Sequence, residues 1–113
     1  MKMYAFKFGK GQELVKSLEE EFQKHKLVDG AIVSIIGAVD KCCISNMPKN
    51  DAAKDILNEY AEPCELSGTG EIRDGKPHIH CVLSREGGNA IAGHLHWAKI
   101  NTLYVAVYVL VDG

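Results

Sequence analysis

Two closely spaced pairs of histidines are the residues of this chain best suited to chemistry. His78 and His80 form one pair, His94 and His96 form the other, and all four lie within nineteen residues. Successive side chains of a β-strand point to opposite faces, so the two members of each pair would share a face. Two such strands side by side would direct three or four imidazoles to one point, as in transition-metal sites. The spacing therefore predicts a metal site.

A hairpin turn fixes how the first pair lies against the preceding strand. Asp74–Gly75 separates two strand-like segments, and an Asp-Gly pair in that position is a strong signal for a two-residue loop. This loop places Glu71 opposite His78 and Thr69 opposite His80, with directly opposite Cβ atoms about 5 Å apart. Glu71 is therefore a candidate general acid/base beside the imidazoles.

The second hairpin needs a loop of odd length if the two histidine pairs are to share a face. A two-residue loop at Gly87–Gly88 would put the second pair on the wrong face. An odd-length loop centred on the first of these glycines instead sets His80 opposite His94. The same register sets His78 opposite His96. Three-residue loops with a glycine bulge are common, so the metal site predicts an odd loop.

The remaining segments predict one helix and several strands. Residues 11–26 have an apolar stripe at helical spacing. Gly30–Val39 and Thr102–Val111 are apolar on both faces, which is typical of central strands, or for the latter of a strand covered by another subunit. Residues 46–61 predict a loop, followed by a short helix or an irregular excursion into a strand. We expect one α+β domain over residues 1–113, a curved antiparallel sheet of about six to eight strands with one main helix packed on it.

The composition is that of a small soluble domain. The chain has 113 residues, of which 46% are hydrophobic and 25% charged, and its formal net charge is -2. Lys and Arg form no basic run, so DNA binding would need a positive face assembled in three dimensions. No segment is apolar over the length that a membrane helix needs, and no signal peptide is visible.

The cysteines predict the compartment. Without a secretory signal, reduced and buried thiols are expected rather than disulfides, which favours a cytoplasmic location. The four residues concerned are Cys42, Cys43, Cys64 and Cys81.

Several segments resemble the PPC (plants and prokaryotes conserved) domain family, in family order and over nearly the whole chain. The matching segments are Gly11–Leu14, Gly30–Val39, Glu62–Gly68, Asp74–His80 and Ala92–Leu95. The segment 46–61 matches poorly. The resemblance implies an antiparallel sheet with a flanking helix, assembled as a homotrimer, of the stand-alone prokaryotic type described as DNA-binding. This chain has no AT-hook, so DNA association is expected to be weak or indirect.

The resemblance also implies which histidines bind metal. The family's metal-binding histidines correspond in this sequence to His78, His80 and His94, which are expected to bind zinc or a similar divalent transition metal. His96 is extra to the motif and is either a neighbour or a fourth ligand. The fold is also similar to that of acetolactate decarboxylase, whose zinc is held by a comparable set of histidines.

Three functions follow from these observations. The first is a non-enzymatic module with a regulatory or DNA-associated role, which we expect. The second is a small zinc-dependent lyase that acts on a small molecule, with Glu71 as general acid/base and Arg73 or Lys76 as carboxylate anchors. The third is a structural metal that only stabilises the subunit.

Overall fold

Eight strands, one α-helix and one turn of 3-10 helix at Glu86–Gly88 form the fold, and a computed structural model describes all of residues 1–113. The helix α1 spans Leu14–Lys24. The strands are β1 (Lys2–Phe8), β2 (Gly30–Val39), β3 (Lys41–Asn46), β4 (Ile56–Tyr60), β5 (Cys64–Arg73), β6 (Lys76–Ser84), β7 (Ala90–Lys99) and β8 (Val105–Val111). The predicted antiparallel sheet with one helix is confirmed. Because strands dominate so strongly, α+β is only a loose description of the class.

All eight strands belong to one sheet in the order β1-β8-β2-β5-β6-β7-β3-β4. Every neighbouring pair is antiparallel. Strand β8 lies between β1 and β2, so its prediction as a central strand is confirmed. Strands β5, β6 and β7 form a meander in the middle of the sheet, and this meander carries all four clustered histidines.

The hydrophobic core lies between α1 and one face of the sheet. Leu14, Leu18 and Phe22 form the predicted stripe of the helix and are fully buried. They pack on a sheet face that includes Ile79 on β6 and Leu95 on β7. Since side chains alternate along a strand, the histidines of β6 and β7 lie on the opposite face, which we call the outer face.

The helix is shorter at both ends than its apolar periodicity predicts. Glu13 has an extended backbone, and its carboxylate accepts hydrogen bonds from the backbone N–H groups of Val15 and Lys16, so the helix begins after it. At the other end Lys26 has a φ of 57°, which ends the helical path.

No helix of the chain is long and apolar enough to cross a membrane.

The segment 46–61, whose sequence pattern left a helix and a strand open, contains a strand rather than a helix. Residues 47–55 form a loop, and Ile56–Tyr60 then pairs with β3 at the edge of the sheet. Of the two alternatives for this segment, the short helix is wrong and the irregular excursion into a strand is confirmed. The strand has almost no buried face, so the sequence has no strong periodicity there.

Candidate metal centre

The first hairpin has the predicted register. Asp74–Gly75 forms the turn with φ values of 52° and 78°, the left-handed conformations that a two-residue hairpin loop needs. Glu71 pairs with His78 and Thr69 pairs with His80. The turn chemistry therefore fixes which β5 residues lie beside the first two imidazoles.

The second hairpin has the predicted odd loop. Residues 85–89 connect β6 to β7, and the ends of this five-residue loop are joined by a 2.7 Å hydrogen bond from the N–H of Arg85 to the carbonyl of Asn89. His80 pairs with His94, which confirms the register that a shared site required. The pairing ends at this point, so His78 and His96 are not opposite partners as the extended register predicted.

A β-bulge explains why His96 leaves the register. Strand β3 pairs with Leu95 and then directly with Trp97, which leaves His96 as the extra residue of β7. The Nε2 atom of His96 lies 2.8 Å from the hydroxyl oxygen of buried Ser45. His96 is therefore a neighbour of the histidine cluster and not one of its converging members.

Three histidine rings converge on the outer face. His78, His80 and His94 each offer a ring nitrogen, and these nitrogens all lie within 4.8 Å of one another. The ring centroids are 4.9 to 6.0 Å apart. Tetrahedral zinc bound at about 2.0–2.1 Å needs nitrogens roughly 3.4 Å apart, which modest ring rotation would provide. The donor set thus fits a divalent transition metal with an open coordination position.

The environment favours the neutral form of two of these rings. Burial lowers the pKa of His78 below its ordinary 6.5, and the nearby cation of Arg73 lowers it further. Burial also lowers the pKa of His94, and the neighbouring imidazoles add to the effect. The carboxylates of Glu71 and Asp55 oppose these shifts but act more weakly. Because metals bind neutral imidazole, both rings are in the binding form at neutral pH.

Glu71 lies beside the cluster but is already engaged. Its Oε1 atom is 3.6 Å from Nδ1 of His78 and accepts hydrogen bonds from the guanidinium of Arg73, at 2.9 Å from Nε. Arg73 is therefore paired with Glu71. Neither Arg73 nor Lys76 lines the cavity in front of the histidines. The catalytic role of Glu71 stays a prediction, and its observed effect on His78 is electrostatic, since its carboxylate raises the pKa of that ring.

A cavity of about 1080 Å³ opens on the outer face beside the three histidines. One wall is apolar and contains Val33, Ile36 and Val82. Asp55, from the loop before β4, also lines it. Asp55 was not predicted as a site residue, because no local sequence pattern shows that the loop before β4 brings it close to His94.

The cysteines are as predicted. All four are buried and none forms a disulfide. Burial raises the pKa of the Cys81 thiol to about 12 and that of Cys42 to about 11. Cys81 faces the core, away from its histidine neighbours, and is not part of the candidate centre.

A sequence model of the Plants and Prokaryotes Conserved (PCC) domain matches residues 1–111. No curated protein matches the chain significantly. Several solved structures match it. A plant- and prokaryote-conserved (PPC) protein of Pyrococcus horikoshii has a TM-score of 0.84 at 22% identity, and the alignment covers all of this chain and 80% of that one.

Two further structures carry functional descriptions. A metal-containing protein of Archaeoglobus fulgidus is 30% identical with a TM-score of 0.76, over 96% of this chain and 79% of that one. A candidate DNA-binding protein of Ralstonia eutropha is 18% identical with a TM-score of 0.82, and the alignment covers 96% of this chain and 77% of that one. The expected similarity to the decarboxylase fold is also found. A Staphylococcus aureus protein similar to alpha-acetolactate decarboxylase has a TM-score of 0.61 at 12% identity, and the alignment covers 95% of this chain and 52% of that one.

Proposed function

Because the chain belongs to the Plants and Prokaryotes Conserved (PCC) domain family, we propose that it is a stand-alone protein of this family that binds a divalent transition metal through His78, His80 and His94. The observation that carries the proposal is the convergence of their three ring nitrogens. Imidazole donors with an open position suit zinc or a similar ion. The metal-containing relative at 30% identity supports the same assignment.

Metal analysis of the purified protein tests this proposal. We expect one equivalent of metal per chain in the wild type, and loss of most of it in His78→Ala and in His94→Ala. His25→Ala is the matched control, since His25 lies exposed at the end of α1, outside the cluster. Equal metal content in His94→Ala and wild type would overturn the assignment.

The proposal includes a homotrimer. On the outer face of β1 and β8, Met3 is 58% exposed and Tyr108 is 37% exposed, and Leu103 before β8 is 60% exposed. Large apolar side chains grouped on one face are typical of a surface that another subunit covers. Light scattering after gel filtration should give three times the 12.4 kDa chain mass. A monomeric or dimeric mass would contradict this part of the proposal.

A regulatory or DNA-associated role is the function we favour over catalysis. Relatives described as DNA-binding support it, and the chain's net charge of -2 without a basic run favours weak or indirect contact with DNA. Duplex DNA should show no measurable binding to the isolated protein at low salt. Tight binding that weakens steeply with salt would instead show a direct phosphate interface. A cytoplasmic location belongs to the same proposal and is supported by the four unpaired thiols.

The alternative is a small zinc-dependent lyase. The cavity beside the histidines and the decarboxylase-like fold favour it. A bound zinc ion would supply Lewis-acid chemistry, and Glu71 would move protons next to His78. Screening the zinc-loaded protein against 2-hydroxy-3-oxo acids tests this alternative, with His94→Ala as the inactive control. If chelation lowers thermal stability but leaves a demonstrated function intact, the metal is structural.

A further inference from the structure

The cavity beside the histidines has a distinctive set of charges. No lysine or arginine lines it, and Asp55 is its single acidic side chain. The other polar side chains that line it, apart from the histidines, are neutral hydroxyl and amide groups, such as those of Ser34 and Thr69. Arg73, whose charge acts on His78, is paired with Glu71 and does not line the cavity. A ligand with several negative charges would therefore find no cationic side chain there.

The apolar wall directly adjoins the histidines. Val82 pairs with Ser67 on β5, and Ser67 pairs with Ile36 on β2, so these three residues form a row across the outer face. This row lies two residues along the strands from the row that contains His80 and Thr69, a distance of about 7 Å. A molecule held at the histidines and extending by that distance would contact the row.

A bulge in β2 adds to this wall. The pairing of β2 with β8 passes from Ile32 to Ser34, which leaves Val33 as an extra residue. The bulge puts Val33 on the outer face beside the row. In the single subunit Val33, Ile36 and Val82 are 41%, 58% and 44% exposed, so a ligand body has apolar surface to cover. Burial of apolar surface of this kind contributes to binding roughly in proportion to its area.

We propose that Ile36 and Val82 select a small monocarboxylate with an apolar body as the ligand of this cavity. The inference rests on the metal site of the proposed function, because the ion is the positive charge that the carboxylate would meet. The body of the ligand lies on Val33, Ile36 and Val82. A second anionic group at its far end is disfavoured, since it would lose water against this wall and meet no cationic side chain there.

Calorimetric titration of the zinc-loaded protein with hexanoate and adipate tests the inference. The two acids have the same carbon chain, and adipate differs by a second carboxylate at the far end. We expect hexanoate to bind at least about tenfold tighter, because desolvation of the second charge is not compensated. Val82→Lys places a cation on the exposed wall and should shift the preference toward adipate.

Two charge variants localise the effect. Asp55→Asn should strengthen the binding of both acids alike, because the charge of Asp55 acts on His94 at the metal end of the cavity. Glu65→Gln should change neither affinity, because Glu65 is exposed on β5 and does not line the cavity. Binding of zinc without binding of either acid, or equal affinities for the two acids, would overturn this inference and leave the metal site standing. Failure to bind zinc would overturn the proposed function first.

Discussion

The side chain of Glu13 connects the helix to the strand that carries His94. Its Oε1 atom accepts a hydrogen bond from the N–H of Lys16 at 2.8 Å, and its Oε2 atom accepts one from Val15 at 2.9 Å. The same Oε2 atom accepts a 2.8 Å hydrogen bond from the N–H of Ala98 on β7. This last contact is needed because the β6–β7 pairing ends at His94, which leaves the edge of β7 beyond it without a strand partner.

Replacing Glu13 with Ala should destabilise the protein by about 3 kcal/mol. Loss of the helix cap costs about 1 kcal/mol. Loss of a charge-assisted bond to the N–H of buried Ala98 costs about 2 kcal/mol more. For a domain of this size the total corresponds to a fall in Tm of roughly 10–15 °C. Glu13→Asp should lose only the second part, since aspartate caps helices well but is too short to reach β7.

Thermal unfolding followed by circular dichroism measures both changes. Zinc affinity measured well below the transition should be unaffected in both variants, because Glu13 lies on the core side of β7. An unchanged Tm in Glu13→Ala would refute the reasoning. An Asp variant as unstable as the Ala variant would show that the cap contributes nothing.

The other predictions concern the site itself. Glu71→Gln should weaken zinc binding about tenfold, because it removes the negative charge 3.6 Å from Nδ1 of His78, and competition with a chromogenic chelator measures the change in affinity. Gly70→Ala should lower stability by at least about 2 kcal/mol in urea unfolding, since its Cβ would lie 2.2 Å from the carbonyl oxygen of His78. Gly9→Ala is the neutral control, because nothing lies within 4 Å of its Cβ. The metal-free protein should lose stability as pH falls below 6.5, since the lowered pKa values of His78 and His94 let the unfolded chain take up protons first. Urea unfolding at about pH 7.5 and 5.5 tests this, and equal stability would contradict it.

The histidine site was predictable because its determinants are local. The Asp74–Gly75 turn fixes one register through the backbone conformations that it demands, and the i, i+2 spacing of His78 and His80 fixes their common face. The register of the β6–β7 hairpin followed from the requirement that His94 lie on the same face as His78 and His80. Each step depends on a turn or on alternation along one strand, which the sequence displays directly.

The bulges were not predictable, because they depend on pairing between distant strands. His96 leaves the ladder only because β3 skips it, and Val33 becomes extra only through its pairing with β8. Neither position has a glycine or another local signal. The contribution of Asp55 was missed for a similar reason, since the fold of its loop depends on β4 pairing at the sheet edge.

X-ray absorption spectroscopy at the zinc edge of the zinc-loaded protein tests the metal centre most directly. We predict a first coordination shell with three imidazole nitrogens at about 2.0–2.1 Å. Sulfur scattering at about 2.3 Å, which would indicate cysteine ligands, or a shell without imidazole would contradict it.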